Sequence, residues 1–123
     1  MELMELATTL VRMCNDGEAE AFAETHYAPD IVSIEGEGSD EMPARLEGMD
    51  AVRRKGEWWF ANNDVHSFTA EGPYVGFAPD QFAVRFLVDV TPKGGERMTM
   101  DELGLYRVKD GRIAEECFLY RTG

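Results

Sequence analysis

From Glu2 to Asn15 the apolar residues Leu3, Leu6, Leu10, Met13 and Cys14 recur at helical spacing, which predicts an amphipathic helix with one buried stripe. Asp16-Gly17 closes it. A second helix is predicted from about Glu18 to Tyr27, with Ala19, Phe22, Ala23 and His26 on one face and Pro29 as its stop. Ile31 to Glu35 is short and β-branched and reads as a strand; Gly36, Gly38 and the polar stretch Ser39 to Glu41 then read as an exposed loop. Asp50 is the expected N-cap of a third helix, in which Val52, Gly56, Trp59 and Phe60 share a face. From Val65 onward the period changes. Val65 to Glu71, Gln81 to Thr91, Met98 to Lys109 and Arg112 to Tyr120 alternate in stretches, separated by Gly72-Pro73, Pro92-Lys93-Gly94-Gly95 and Asp110-Gly111. The last separator is a strong hairpin signal.

Helices followed by long strands make an α+β pattern: three helices from the N-terminal half packed on a curved, mainly antiparallel sheet. Such a sheet curls around a helix into a cone-shaped half-barrel, and its open end leaves a pocket. With 123 residues and no linker or repeat, one domain over 1–123 is expected. An apolar fraction of 44% with 29% charged residues is that of a globular chain. No apolar run approaches the roughly 20 residues of a membrane span. The acidic N-terminus lacks the basic, then continuously apolar character of a secretory signal, so a cytosolic (cytoplasmic) protein is expected. The formal charge of −12 repels phosphate backbones and anionic membranes, which argues against nucleic-acid and membrane partners. Cys14 and Cys117 sit within apolar patterns and are expected to be free, buried thiols.

The order of elements resembles the nuclear transport factor 2-like superfamily, which includes SnoaL-like polyketide cyclases, ketosteroid isomerases and limonene epoxide hydrolases. The segments that carry the resemblance are YAPDIVSIEG at 27–36, GMDAVRRKGEWWF at 48–60 and LYRVKDGRIAEECFLY at 105–120. The resemblance covers nearly the whole chain and implies the cone fold, a site for an apolar or amphipathic small molecule, and a homodimer formed through the sheet. It identifies no reaction.

Glu35 ends the short strand where the isomerases that this segment resembles place their catalytic aspartate, which makes it the candidate general base. Its other reading is the solvated start of the acidic loop. The isomerase comparison fails elsewhere, because Leu10 and Gly104 fall where that enzyme has its oxyanion-binding tyrosine and acid. Asp89 matches the first aspartate of the epoxide hydrolases, but Leu87 and Phe118 replace the arginine and the second aspartate. Arg85 and Asp89 read instead as a solvated or cross-strand ion pair.

His66 shares alternation with Phe68 and Ala70, a parity that relatives direct into the cone, and is the second catalytic candidate. Met100, Glu102, Gly104 and Tyr106, with Ala114, Glu116, Phe118 and Tyr120, form the parity that relatives turn inward. The opposite parity, with Leu103, Leu105, Cys117 and Leu119, is nearly as apolar, so alternation alone leaves the choice open. Of the two tryptophans only one can face the cone, and Trp59 continues the face of Val52 and Gly56. The expected pocket lining is therefore Trp59, Phe68, Glu102, Tyr106, Glu116, Phe118 and Tyr120, with Glu35 at the wall. His26 reads as a packing residue.

No metal-ligand spacing, phosphate loop or nucleophile elbow occurs, so neither metal nor cofactor is expected. Three readings remain open: a cofactor-independent isomerase, cyclase, lyase or hydratase acting on a small apolar substrate, a non-catalytic ligand-binding module, and a protein-interaction module.

Overall fold

The computed structural model describes residues 2–40 and 42–121. Glu41, placed by sequence in the polar loop, lies outside them. The described residues form α1 (Leu3–Asn15), α2 (Ala19–His26), β1 (Tyr27–Ile34), β2 (Arg45–Glu47), α3 (Met49–Asn62), β3 (Asn63–Val75), β4 (Gln81–Pro92), β5 (Met98–Lys109) and β6 (Arg112–Tyr120). The strands make one curled, unclosed sheet in the order β2-β1-β6-β5-β4-β3. Every pairing is antiparallel except that of β1 with β6. The α+β cone expected from the pattern is the observed fold.

α1 buries Leu6, Ala7, Leu10 and Cys14 against the sheet, as its stripe requires. Its last residue, Asn15, donates to the carbonyl of Ala70 at 2.9 Å and accepts from the Ala70 N–H at 2.7 Å. These bonds satisfy backbone groups on the outermost strand, β3, which would otherwise be open to a foreign strand. β4 is the centre of the core: Phe82, Val84, Phe86, Val88 and Val90 are all buried, and the residues between them turn outward.

Several sequence boundaries are corrected. The first strand begins at Tyr27 rather than Ile31, so Pro29 lies inside it; the register with β6 is irregular between Tyr27 and Val32, where a residue without an N–H is tolerated. Between the predicted loop and α3 lies the short strand β2, in a stretch to which the sequence assigns no element. Gly48, with φ 89°, takes the N-cap of α3 in place of Asp50, because the chain leaves β2 through a left-handed conformation that favours glycine. Asp50 sits in the first turn and pairs with Arg53 at 2.6 Å. Gly72-Pro73 does not end β3, which runs to Val75 through a register shift. Asp110 (φ 53°) and Gly111 (φ 75°) form the tight hairpin turn that their sequence signals.

Candidate active site

α3 buries none of its residues fully, although Val52, Gly56, Trp59 and Phe60 lie along one side of it. That side borders a cavity of about 230 Å³ between α3, α1 and the concave face of the sheet. An outer chamber of about 340 Å³ continues it toward solvent past Glu37, Ser39, Met42 and Tyr120. Glu35, Lys55, Trp59, Met100 and Glu102 border both.

The strand register explains the inward set. Glu102 stands opposite Phe86 on β4 and Tyr120 on β6, and Tyr106 stands opposite Glu116, so directly paired residues share the concave face. Phe68 reaches the same face from β3. At Gly104 a Cβ atom would lie 2.8 Å from the Tyr106 ring and 2.9 Å from that of Phe86, so the glycine makes room for the aromatic walls. Trp59, Phe68, Glu102, Tyr106, Glu116 and Phe118 all line the inner cavity. Tyr120 lines the outer chamber, where its hydroxyl accepts a hydrogen bond from the Glu37 N–H at 3.0 Å. Trp58 borders only that outer chamber.

Two members of the expected alternation are displaced. His66 is the extra residue where β3 shifts register between Val65 and Ser67, and this bulge turns it away from the cone. It is exposed and its Nε2 lies 2.8 Å from Thr91 Oγ1. Ala114 is likewise skipped by the register shift in β6, and the fully buried Ile113 takes the inner position. Asp89 and Arg85 do not pair with each other: Asp89 binds Arg97 and Arg85 binds Asp101, both at 2.8 Å on the outer side of the sheet.

At the base of the cavity Glu116 is 5% exposed. Tyr27 Oη donates to its Oε2 at 2.8 Å and Ser33 Oγ donates to its Oε1 at 3.3 Å. Lys55 Nζ in turn donates to Ser33 Oγ at 2.8 Å, forms an ion pair with Glu35, and lies 4.9 Å from the centre of the Phe118 ring. Glu35 directly follows β1 and is held there by its N–H, which donates to the carbonyl of Ala44 at 2.8 Å. Among the described residues the Glu102 side chain makes no hydrogen bond or ion pair.

Sequence reasoning missed Tyr27, Ser33 and Lys55. Their signals were present: Lys55 shares the helical face of Val52 and Trp59, and Tyr27, Ile31, Ser33 and Glu35 share one parity.

Burial dominates the electrostatics. It pushes the Glu102 carboxyl up to about 7, assisted by the charges of Glu35 and Glu116 and opposed by Lys55. Burial also raises the Glu116 carboxyl, against the ammonium of Lys55 and the hydroxyls of Tyr27 and Ser33. The Tyr27 and Tyr106 hydroxyls are held well above the ordinary phenol range by burial and by Glu116. The Cys14 thiol, pushed up to about 12 by burial, stays protonated and unreactive. Cys14 and Cys117 are both free; Cys14 is buried, while Cys117 is half-buried on the outer side of the sheet. Among the described residues no group of His, Cys, Asp and Glu is arranged to hold a metal ion, and no helix is long and apolar enough to cross a membrane. Among the described residues the cavity offers one ammonium and three carboxylates in unequal surroundings.

An unclosed, curled sheet packed by three helices is the cone fold of the nuclear transport factor 2-like proteins, and residues 1–120 match the model of the SnoaL-like domain. The chain belongs to that family. It is similar, at 47% identity over 98% of this chain and 100% of the other with a TM-score of 0.89, to a Mesorhizobium loti protein described as a candidate SnoaL-like polyketide cyclase and carbohydrate phosphatase. The fold recurs in a candidate SnoaL-like polyketide cyclase of Jannaschia (14% identity over 94% and 85% of the two chains, TM-score 0.72) and a candidate isomerase of Bacillus subtilis (17%, 96% and 85%, TM-score 0.71). No curated protein matches the chain.

Proposed function

We propose that this domain binds a small apolar or amphipathic molecule in its cone and transfers protons on it without a cofactor, as an isomerase, cyclase, lyase or hydratase does. The observation that carries this reading is the pairing of two unlike carboxylates at the junction of the two chambers. Glu35 is held by Lys55, whereas Glu102 stands without a partner among the described residues and titrates near neutrality. Glu35 is the proton acceptor, and Glu102 is the group whose protonation responds to what enters. Glu116, already satisfied by Tyr27 and Ser33, holds the base of the cavity in place. His66, outside the cone, takes no part.

The test is native mass spectrometry of the protein purified from its own cells, to identify a retained small molecule, followed by incubation of that molecule in D2O with the protein. Deuterium entering the molecule with the wild type but not with Glu35→Gln is the expected result. Retention without exchange overturns catalysis and favours the second reading, a binding module that uses the same pocket.

The outer sheet face supports a homodimer. Leu103, Leu105 and Leu119 are each more than 40% exposed there, beside an open trough of about 1170 Å³ along β5 and β6 that wraps around the strand ends. A cytoplasmic location is consistent with the acidic composition.

A further inference from the structure

The cavity holds three carboxylates, Glu35, Glu102 and Glu116, and among the described residues one cation, Lys55, borders it. Lys55 is already engaged by Glu35 and Ser33. Glu116 is satisfied by two neutral hydroxyls. Glu102 has no partner among the described residues, although it projects from β5 into a space walled by aromatic rings, with Phe86 and Tyr120 on either side of it across the sheet. An anion entering this space would meet a surplus of like charge. A neutral molecule would leave Glu102 either an unpaired carboxylate shielded from water, which is costly, or a protonated acid. A cation would relieve both conditions.

The cavity already contains an example of how it treats such a group. The Lys55 ammonium is held by a carboxylate, a hydroxyl and the face of Phe118, with its centroid 4.9 Å away. Glu102, with Phe86 and Tyr120, supplies a second carboxylate and further rings, and among the described residues no side-chain cation pairs with it. The chain's net charge of −12 draws cations toward the molecule as a whole.

We propose that the ligand of this cavity carries a positive charge, as a protonated amine or other organic ammonium, and seats it against Glu102 between Phe86 and Tyr120. This rests on the reading of the cone as a small-molecule site and narrows its ligand to an aromatic or aliphatic body bearing one cationic nitrogen. Binding couples to protonation, because the ammonium pairs with the ionised form of Glu102. Among the described residues the titratable groups that line the two chambers with Glu102 are Cys14 on α1, Tyr27 on β1, Glu35 and Glu37 just after it, Lys55 on α3, Glu116 and Tyr120 on β6 and Tyr106 on its own strand; β4 presents the apolar Phe86 and Val88.

Three probes of one shape separate the possibilities: tryptamine, neutral tryptophol and anionic indole-3-propionate, titrated by calorimetry. Tryptamine is expected to bind about tenfold or more tightly than tryptophol at pH 8, with indole-3-propionate weakest. Its advantage over tryptophol is expected to shrink from pH 8 to pH 5.5 as Glu102 takes up its proton, while the amine itself stays charged. At pH 7 its binding heat is expected to vary with the ionisation enthalpy of the buffer, reporting release of a proton. In Glu102→Gln the ratio of the tryptamine to the tryptophol affinity is expected to fall to about one and to lose its pH dependence. Equal affinities for tryptamine and tryptophol, or tighter binding of indole-3-propionate, overturn the cationic ligand and leave the small-molecule site standing. Failure of all three to bind at millimolar concentration overturns both. The pH series on the wild type decides the matter even if the variant does not fold.

Discussion

Tyr27, the first residue of β1, donates a 2.8 Å hydrogen bond from its hydroxyl to Oε2 of Glu116 on β6. The parallel pairing of those strands, which sets Tyr27 opposite Ile113 and Ser33 opposite Glu116, brings both donors to one buried carboxyl. A buried acceptor that loses its donor keeps the full cost of its desolvation. Tyr27→Phe is therefore expected to destabilise the protein by about 1–3 kcal/mol. Urea denaturation checks this as a lower midpoint at unchanged slope, and an unchanged midpoint would show that the bond contributes nothing.

Glu102 sets a pH dependence of the opposite sign to that of most carboxylates. Its folded-state value of about 7 lies above the ordinary 4.5 because of burial first and the neighbouring Glu35 charge second. Between those values the folded protein keeps a proton that the unfolded chain has released, so stability is fully present below pH 4.5 and falls as pH rises toward 7. Glu102→Gln removes the titration. The variant is expected to match the wild type near pH 4 and to exceed it at pH 8 by on the order of 1–3 kcal/mol. Thermal melts at the two pH values test this; a gap of the same size at both would overturn it.

Lys55 lowers the titration of both Glu102 and Glu116. Replacing it by Met leaves three carboxylates facing one another without a cation from α3. Both carboxyls are then expected to titrate higher than in the wild type, followed residue by residue through carboxyl carbon chemical shifts. Shifts that stay in place would mean that solvent in the outer chamber screens the ammonium.

Glu35→Gln keeps the shape of the side chain and removes the proposed base. Proton exchange into the retained ligand is expected to fall by roughly 10²–10⁴-fold. The fold, checked by circular dichroism, is expected to persist, because the backbone bond of Glu35 to Ala44 does not involve the side chain and Lys55 keeps Ser33 as an acceptor. An unchanged exchange rate would move the role to Glu102.

The outer face offers a test that leaves the cone untouched. If Leu103, Leu105 and Leu119 form the contact between two copies, Leu105→Lys is expected to convert a dimer into a monomer, as light scattering after size exclusion reads it. A wild type that is monomeric at micromolar concentration removes the proposal.

The sequence by itself determined the succession of elements except for the three-residue β2. Helical spacing in α1, alternation in β4 to β6 and the Asp110-Gly111 turn are local properties, fixed by interactions within a few residues. The carboxylates Glu35, Glu102 and Glu116 were visible for the same reason, since each occupies a parity that can be counted. Only the tertiary structure decided which parity is concave, because both faces of β5 and β6 are apolar enough to be buried and the choice falls to the helices that cover one of them. It also decided His66, since a single extra residue in β3 reverses facing without leaving any mark on composition. The meeting of Tyr27, Ser33 and Lys55 with Glu116 depends on a parallel pairing between strands more than 80 positions apart and on the docking of α3 across them. No local pattern encodes such contacts; they follow from the sheet order, which sets β1 beside β6.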